Sequence, residues 1–255
     1  MASLAEALWN ARATGGVIAV AAAQRPADVA DAYAIQADAI ACSGMTRVGW
    51  KIGAAAQAAI DLLAVDAPFL GPLLAPHCRA DGAEIALVPA QGPGLETEFL
   101  VGLGADLPPR AEPYRDDEVA AAVGFIAPAF EVVATRFEGG FKGNGLLAIA
   151  DGAGNGAIVQ GEPVRDWRRF DLATHELRLS INGKEAATGS GSALIYGDPI
   201  AMVTWLVNQP QLASCGLRAG DIVMTGTCTG LLPLKAGDRA VADFGALGKV
   251  QATFS

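Results

Sequence analysis

Leu4, Leu8 and Ala11 recur at helical spacing, and Ser3 followed by Glu6 places a capping box in front of them. This pattern predicts a helix at the start of the chain. A second helix is predicted over "PADVADAYAIQADAIAC", with Pro26 near its start and Gly44 just past its end. The period then changes. "RVGWKIG" alternates, with Val48, Trp50 and Ile52 on one face and Arg47 and Lys51 on the other, which predicts a strand. "AAAQAAIDLLAV" returns to helical spacing, so residues 1–75 read as a mainly helical cap with one strand.

From about residue 80 the chain breaks into short segments rich in strand formers: "AEIALVP", "LETEFLVGL", "AVGFIAPAFEVVATRF", "GLLAIAD", "ELRLSINGKEAATG", "GDIVMTG", "RAVADF" and "KVQATF". Gly, Pro and Asp punctuate them. Asn182-Gly183 is a strong signal for a two-residue hairpin turn. One helix is expected to interrupt, around "DPIAMVTWLVNQ". The expectation is an α+β, predominantly β fold: the cap over 1–75 and a β-rich domain over 76–255, with no flexible linker between them.

Composition narrows the function classes. Hydrophobic residues make up 52% of the 255 and charged residues 18%, which excludes a disordered chain and suggests a well-filled interior. The formal charge of -9 would repel phosphate backbones and anionic lipid, and no run of Lys or Arg offsets it, so neither nucleic acid nor membrane is expected as a partner. The N-terminal stretch lacks the pattern of a signal peptide, and no segment approaches the roughly 18 apolar residues of a membrane span. Cys42, Cys78, Cys215 and Cys228 form no CxxC pair and read as buried free thiols of a cytoplasmic protein.

Several chemistries fall away. His77 and His175 have no partner at metal-ligand spacing, and no GxSxG elbow is present. "DGAGNGA" satisfies GxGxxA, but a dinucleotide site needs a helix directly after it, and "AIVQGEPV" reads as strand and turn.

The carboxylates hold up better. Glu96 and Glu98 lie two apart in "GLETEF", so on a strand they share a face, and that face continues to Leu100. Glu131 sits in "FIAPAFEVV", a near-continuous apolar run typical of a strand buried on both faces. An ionised Glu there needs a compensating cation. A solvated face for Glu96 and Glu98, and a structural Arg or Lys for Glu131, remain open alternatives. Three carboxylates without His or thiol form an all-oxygen set suited to a hard divalent ion such as Mg²⁺ or Mn²⁺.

Taken in order, "DAYAIQADAI", "GWKIG", "GLETEF", "PAFEVV", "IADGAGNGAIVQG", "LRAGDIVMTGTCTG" and "GDRAVADFGALGKV" closely resemble the 2-keto-4-pentenoate hydratase / 4-oxalocrotonate decarboxylase branch of the fumarylacetoacetate hydrolase family. The resemblance runs from about residue 30 to the C-terminus. It implies a mixed β-sandwich roll carrying the active site, closed by the small N-terminal part. It also implies Mg²⁺ or Mn²⁺ held by Glu96, Glu98 and Glu131. The wider family's hydrolases usually have Asp at the third position, and this branch has Glu. Lys51 matches the branch's substrate-side lysine, for which a solvated surface lysine is the alternative. Thr225, Thr227 and Thr229 in "TGTCTG" match its substrate loop, whose hydroxyls and backbone N–H groups would hold a carboxylate.

Two departures stand out. Where the branch often carries an Asp-containing triplet, this chain has Phe69-Leu70, with Asp66 nearby but out of register; and "GDPI" at 197–200 replaces a frequent His. Phe69 is thereby a candidate substrate contact. The resemblance implies a lyase adding water to a 2-hydroxy-2,4-dienoate or 2-oxo-3-enoate in aromatic-compound catabolism, with Lys51, Glu98 and Glu131 as catalytic groups. Rivals at the same site are a 4-oxalocrotonate-type decarboxylase and an acylpyruvate-type hydrolase. A non-catalytic partner subunit is the rival from another class. A homo-oligomer, or a complex with a related decarboxylase, is the implied assembly.

Overall fold

Helix α1 (Leu4–Thr14) begins where the sequence places it: the Glu6 N–H donates to the Ser3 hydroxyl while the Ser3 N–H donates to the Glu6 carboxylate. The computed structural model describes residues 2–255. Helix α2 (Val29–Ser43) starts at the Asp28 cap, leaving Pro26 outside it, and stops at Gly44, whose φ of 61° is left-handed. Strand β1 (Arg47–Gly53), helix α3 (Gln57–Leu63) and strand β2 (Phe69–Leu74) complete this part. It therefore contributes two strands rather than one, and both join the main sheet.

Next come β3 (Cys78–Ala80), β4 (Glu84–Ile85), β5 (Gly94–Leu103), α4 (Asp116–Ala122) and β6 (Val123–Val133). Helix α5 (Gly145–Ala150) leads into β7 (Asn155–Gln160), β8 (Leu177–Ile181), β9 (Lys184–Gly189) and α6 (Pro199–Val207). The chain ends with β10 (Ile222–Met224), β11 (Leu232–Pro233), β12 (Arg239–Asp243) and β13 (Lys249–Phe254).

An eight-stranded mixed sheet runs β2-β1-β10-β5-β6-β7-β3, with β11 pairing β5, and a five-stranded sheet runs β4-β13-β12-β8-β9. Phe99 and Phe130 from the first meet Val250 and Leu179 from the second, and Phe244 just after β12, in one buried cluster. Burial of this apolar surface is the main stabilising contribution. The β8–β9 hairpin turns at Asn182 and Gly183, with φ of 53° and 75°, as the Asn-Gly pair predicts.

Three expectations are corrected. "GLLAIAD" forms helix α5, not a strand. A short apolar run cannot be assigned by periodicity alone, and here packing against α2 decides it, with Gln36 donating to the Ile149 and Leu70 carbonyls at 2.7 and 3.0 Å. "AEIALVP" yields only the two-residue β4. The cysteines are free, but only Cys228 is buried and Cys42 is exposed. Among the described residues, no helix is long and apolar enough to cross a membrane.

Candidate active site

Antiparallel pairing of β5 with β6 places Glu96 directly across from Glu131, and Glu98 follows two positions on, opposite Ala129. Because side chains alternate along a strand, the three carboxylates emerge on one face. One oxygen from each lies within 4.8 Å of the others. Glu98 and Glu131 are fully buried, whereas Glu96 is half-buried.

Each buried carboxylate is anchored by one oxygen. The Gly226 N–H donates to Glu98 Oε2 at 2.7 Å, and Asn155 Nδ2 donates to Glu131 Oε1 at 2.9 Å. The remaining oxygens, Glu98 Oε1 and Glu131 Oε2, have no hydrogen-bond partner. Lys51 Nζ stands 3.2 Å from Glu131 Oε2, an ion pair outside hydrogen-bond geometry, and donates to the Ala153 carbonyl at 3.1 Å. Ala153, at φ 59°, takes a left-handed turn rarely adopted by a residue with a Cβ, in the bend that leads into β7.

One ammonium does not balance three carboxylates. Burial, then repulsion from Glu131 and Glu96, holds Glu98 well above the usual carboxylate range, against the pull of Lys51 and the Gly226 N–H. Burial pushes Glu96 up to about 7; Lys51 opposes this and Glu131 adds to it. For Lys51, burial disfavours the charge, but Glu131, Glu96 and Glu98 together outweigh it and hold the ammonium above the ordinary lysine value. Two buried oxygens that accept no hydrogen bond, one of them facing Lys51, and a third, half-buried carboxylate form an oxygen-only set that fits a hard divalent cation.

A cavity of about 300 Å³ opens beside this cluster. Its polar lining is Lys51, Glu96 and Thr227, and Phe69, Phe141, Leu63 and Leu231 wall much of the rest. Glu98 and Glu131 lie behind the lining. Thr225 is buried and donates to the Phe99 carbonyl at 2.9 Å, so it fastens β10 to β5 and does not face the cavity. Thr229 lies outside the lining. Of the three threonines Thr227 alone lines the cavity, and the loop also supplies the Gly226 N–H, spent on Glu98. Gly226 is required there: its φ is 108°, and a Cβ would fall 2.0 Å from Ala55 Cβ. Lys51, 3% exposed, is no surface lysine. Asp66 is exposed and Asp198 caps α6, so neither supplies the acidic group absent at Phe69-Leu70.

Sequence reasoning missed Asn155 and the Ala153 carbonyl. Both lie in "DGAGNGA", a stretch that carries part of the family resemblance and whose residues are assigned no role by it. The available signal was a lone amide opening a strand next to the one that carries Glu131.

The family model described as Fumarylacetoacetate (FAA) hydrolase C-terminal matches residues 75–255. A 2-keto-4-pentenoate hydratase of Burkholderia vietnamiensis is 32% identical over 259 aligned residues, covering 100% of this chain and 97% of the relative. A 2-hydroxyhexa-2,4-dienoate hydratase of Comamonas testosteroni is 33% identical, covering 83% and 80%. Among solved structures, 4-oxalocrotonate decarboxylase from Pseudomonas putida G7, complexed with magnesium and adipate, superposes with a TM-score of 0.89 at 28% identity, covering 99% and 96%.

Proposed function

The chain belongs to the fumarylacetoacetate hydrolase family, and from that membership we propose that it is a hydro-lyase of the 2-keto-4-pentenoate hydratase kind. Its substrate is a 2-hydroxy-2,4-dienoate, which reacts through the 2-oxo-3-enoate tautomer. The observation that carries the reading is the Glu96, Glu98 and Glu131 set, two of whose buried oxygens accept no hydrogen bond, beside an apolar cavity lined by Glu96 and Lys51.

Glu96, Glu98 and Glu131 would hold Mg²⁺ or Mn²⁺. When bound, the ion supplies Lewis acidity toward the substrate's 2-oxo oxygen and carboxylate. Lys51 sets its ammonium beside the same carboxylates, where it steadies enolate charge and holds a proton at Nζ for transfer. Ketonisation moves a proton to C5. Water then adds across C3=C4, its hydroxyl going to C4 and its proton to C3, giving a 4-hydroxy-2-oxo acid. Asn155 and the Gly226 N–H keep Glu131 and Glu98 in place while this happens. Phe69, Phe141 and Leu231 exclude bulk water and accept an uncharged tail.

A second reading draws on the decarboxylase similarity: the same electron sink would support loss of CO₂ from a dicarboxylate. The lining argues against it, because no cation besides Lys51 lines the cavity to meet a second carboxylate. Purified chain is expected to convert 2-hydroxypenta-2,4-dienoate to 4-hydroxy-2-oxopentanoate with Mg²⁺ present, with every carbon retained and activity abolished by EDTA. Release of CO₂ from 4-oxalocrotonate at a comparable rate would reverse the choice. Inactivity toward both would favour the partner-subunit reading.

A further inference from the structure

The chain gathers a second cluster of like charges, opposite in sign to the first. Arg12 in the last turn of α1, His77 and Arg79 near β3, and Arg136 after β6 line a cleft of about 230 Å³. No run of sequence announces this cluster, because the fold assembles it from three distant segments. Within an acidic chain of net charge -9, the cleft has three guanidiniums against a single lining carboxylate, Glu84.

The two innermost guanidiniums are incompletely paired. Arg136 is 2% exposed; its Nη1 donates to the Ala134 carbonyl at 2.9 Å and reaches Asp151 at 3.5 Å, and its Nη2 donates to the Asn155 carbonyl. Its Nε has no partner. Arg12 Nη2 donates to the same Asn155 carbonyl, and Arg12 Nη1 is buried without a partner, as is His77 Nε2. Two buried guanidiniums converge on one carbonyl oxygen, and the buried Asp151 carboxylate, ion-paired to Arg136, offsets only part of their charge, so a further anion would be favoured. Burial and then Arg136 pull Arg12 down to about 9, so it stays charged at neutral pH. Burial, then Arg12, Arg136 and Arg79, bring His77 to about 4, so its ring is neutral and free to act as an N–H donor.

We propose that this cleft is a second binding site, for a small oxyanion (a phosphate or a carboxylate), held by Arg12 and Arg136 with Arg79 at its mouth. Planar guanidiniums match the paired oxygens of such ions, and the unpartnered Arg12 Nη1 and Arg136 Nε are the donors left for one. The site is distinct from the carboxylate cavity, whose lining includes none of these residues.

The test is calorimetric titration of the EDTA-treated full chain with inorganic phosphate and, separately, with acetate at low ionic strength. Saturable one-site binding is expected, weakened at least about tenfold in Arg12→Gln and unchanged in Lys51→Met. Arg79→Ala, a change at an exposed position, is expected to weaken binding by about threefold and serves should Arg12→Gln fail to fold. Tighter phosphate than acetate assigns a phosphoryl ligand, and the reverse order a carboxylate. Absence of saturation with both ions overturns the proposal, and so does binding that is lost in Lys51→Met but retained in Arg12→Gln and Arg79→Ala.

Discussion

Asn155 touches two groups of buried like charges. Its side-chain amide holds Glu131 within the three-carboxylate cluster, and its carbonyl receives both Arg12 and Arg136 from the basic cleft. The acidic group stands on paired strands. Residue alternation along β5 and the Glu96–Glu131 register fix its spacing to the tolerance of a sheet, which a small cation with firm geometric demands requires. The basic group is drawn from a helix end, a strand edge and a post-strand turn, and its long side chains can adjust to an anion of variable shape. Each group carries a partial counter-charge: Lys51 against three carboxylates, and Asp151, ion-paired to Arg136 and also felt by Arg12, against the arginines.

The contrast can be broken from either side. The largest effect is expected from Glu96→Gln combined with Glu131→Gln: hydration should fall on the order of 10³-fold and calorimetric Mg²⁺ binding should vanish, with phosphate binding in the cleft untouched. Lys51→Met should lower kcat on the order of 10²-fold or more while Mg²⁺ still binds, separating proton handling from metal holding. Asn155→Ala cuts the link on one side alone. Mg²⁺ affinity should drop about 10- to 100-fold, and anion affinity should hold because the backbone carbonyl remains.

A pH series sharpens the electrostatic side. In metal-free protein the folded Glu96 sits at about 7, above its ordinary value near 4.5, so the folded state binds the proton more tightly than the unfolded chain does. Its favourable contribution is complete below the unfolded value and is lost as pH rises through about 7. The Tm of EDTA-treated protein should therefore decline from about pH 4.5 to 7, and Mg²⁺ should raise Tm more at the upper end. The smallest effects concern the threonine loop. Thr225→Val removes a buried hydrogen bond and should cost about 1 kcal/mol in denaturant unfolding, whereas Thr229→Val should stay within about 0.5 kcal/mol and leave kcat/KM unchanged.

The acidic cluster was legible because strand alternation is a local rule: two glutamates at i and i+2, and a third alone on an apolar run, declare a shared face and a buried charge. The partners of those groups were not legible. Asn155, the Gly226 N–H and the Ala153 carbonyl reach the site through sheet neighbours and turns, and no spacing in the sequence encodes those approaches. The basic group is illegible in the sequence for the same reason, since residues 12, 77, 79 and 136 meet only in the fold. Helix α5 was misread because a six-residue apolar run carries no period of its own, and α2 supplies the packing that settles it.

The parallel pairing of β1 with β10 joins Gly49, Trp50 and Lys51 to Ile222, Val223 and Met224. Sheet contact between β1 and the glutamate-bearing strands runs through β10. On the ribosome, then, the β1–β2 pair and its lysine must wait with one edge unpaired until residues 222–224 have emerged. The order of synthesis makes β10, which follows both glutamate-bearing strands in the chain, the segment that brings lysine and carboxylates into a single sheet.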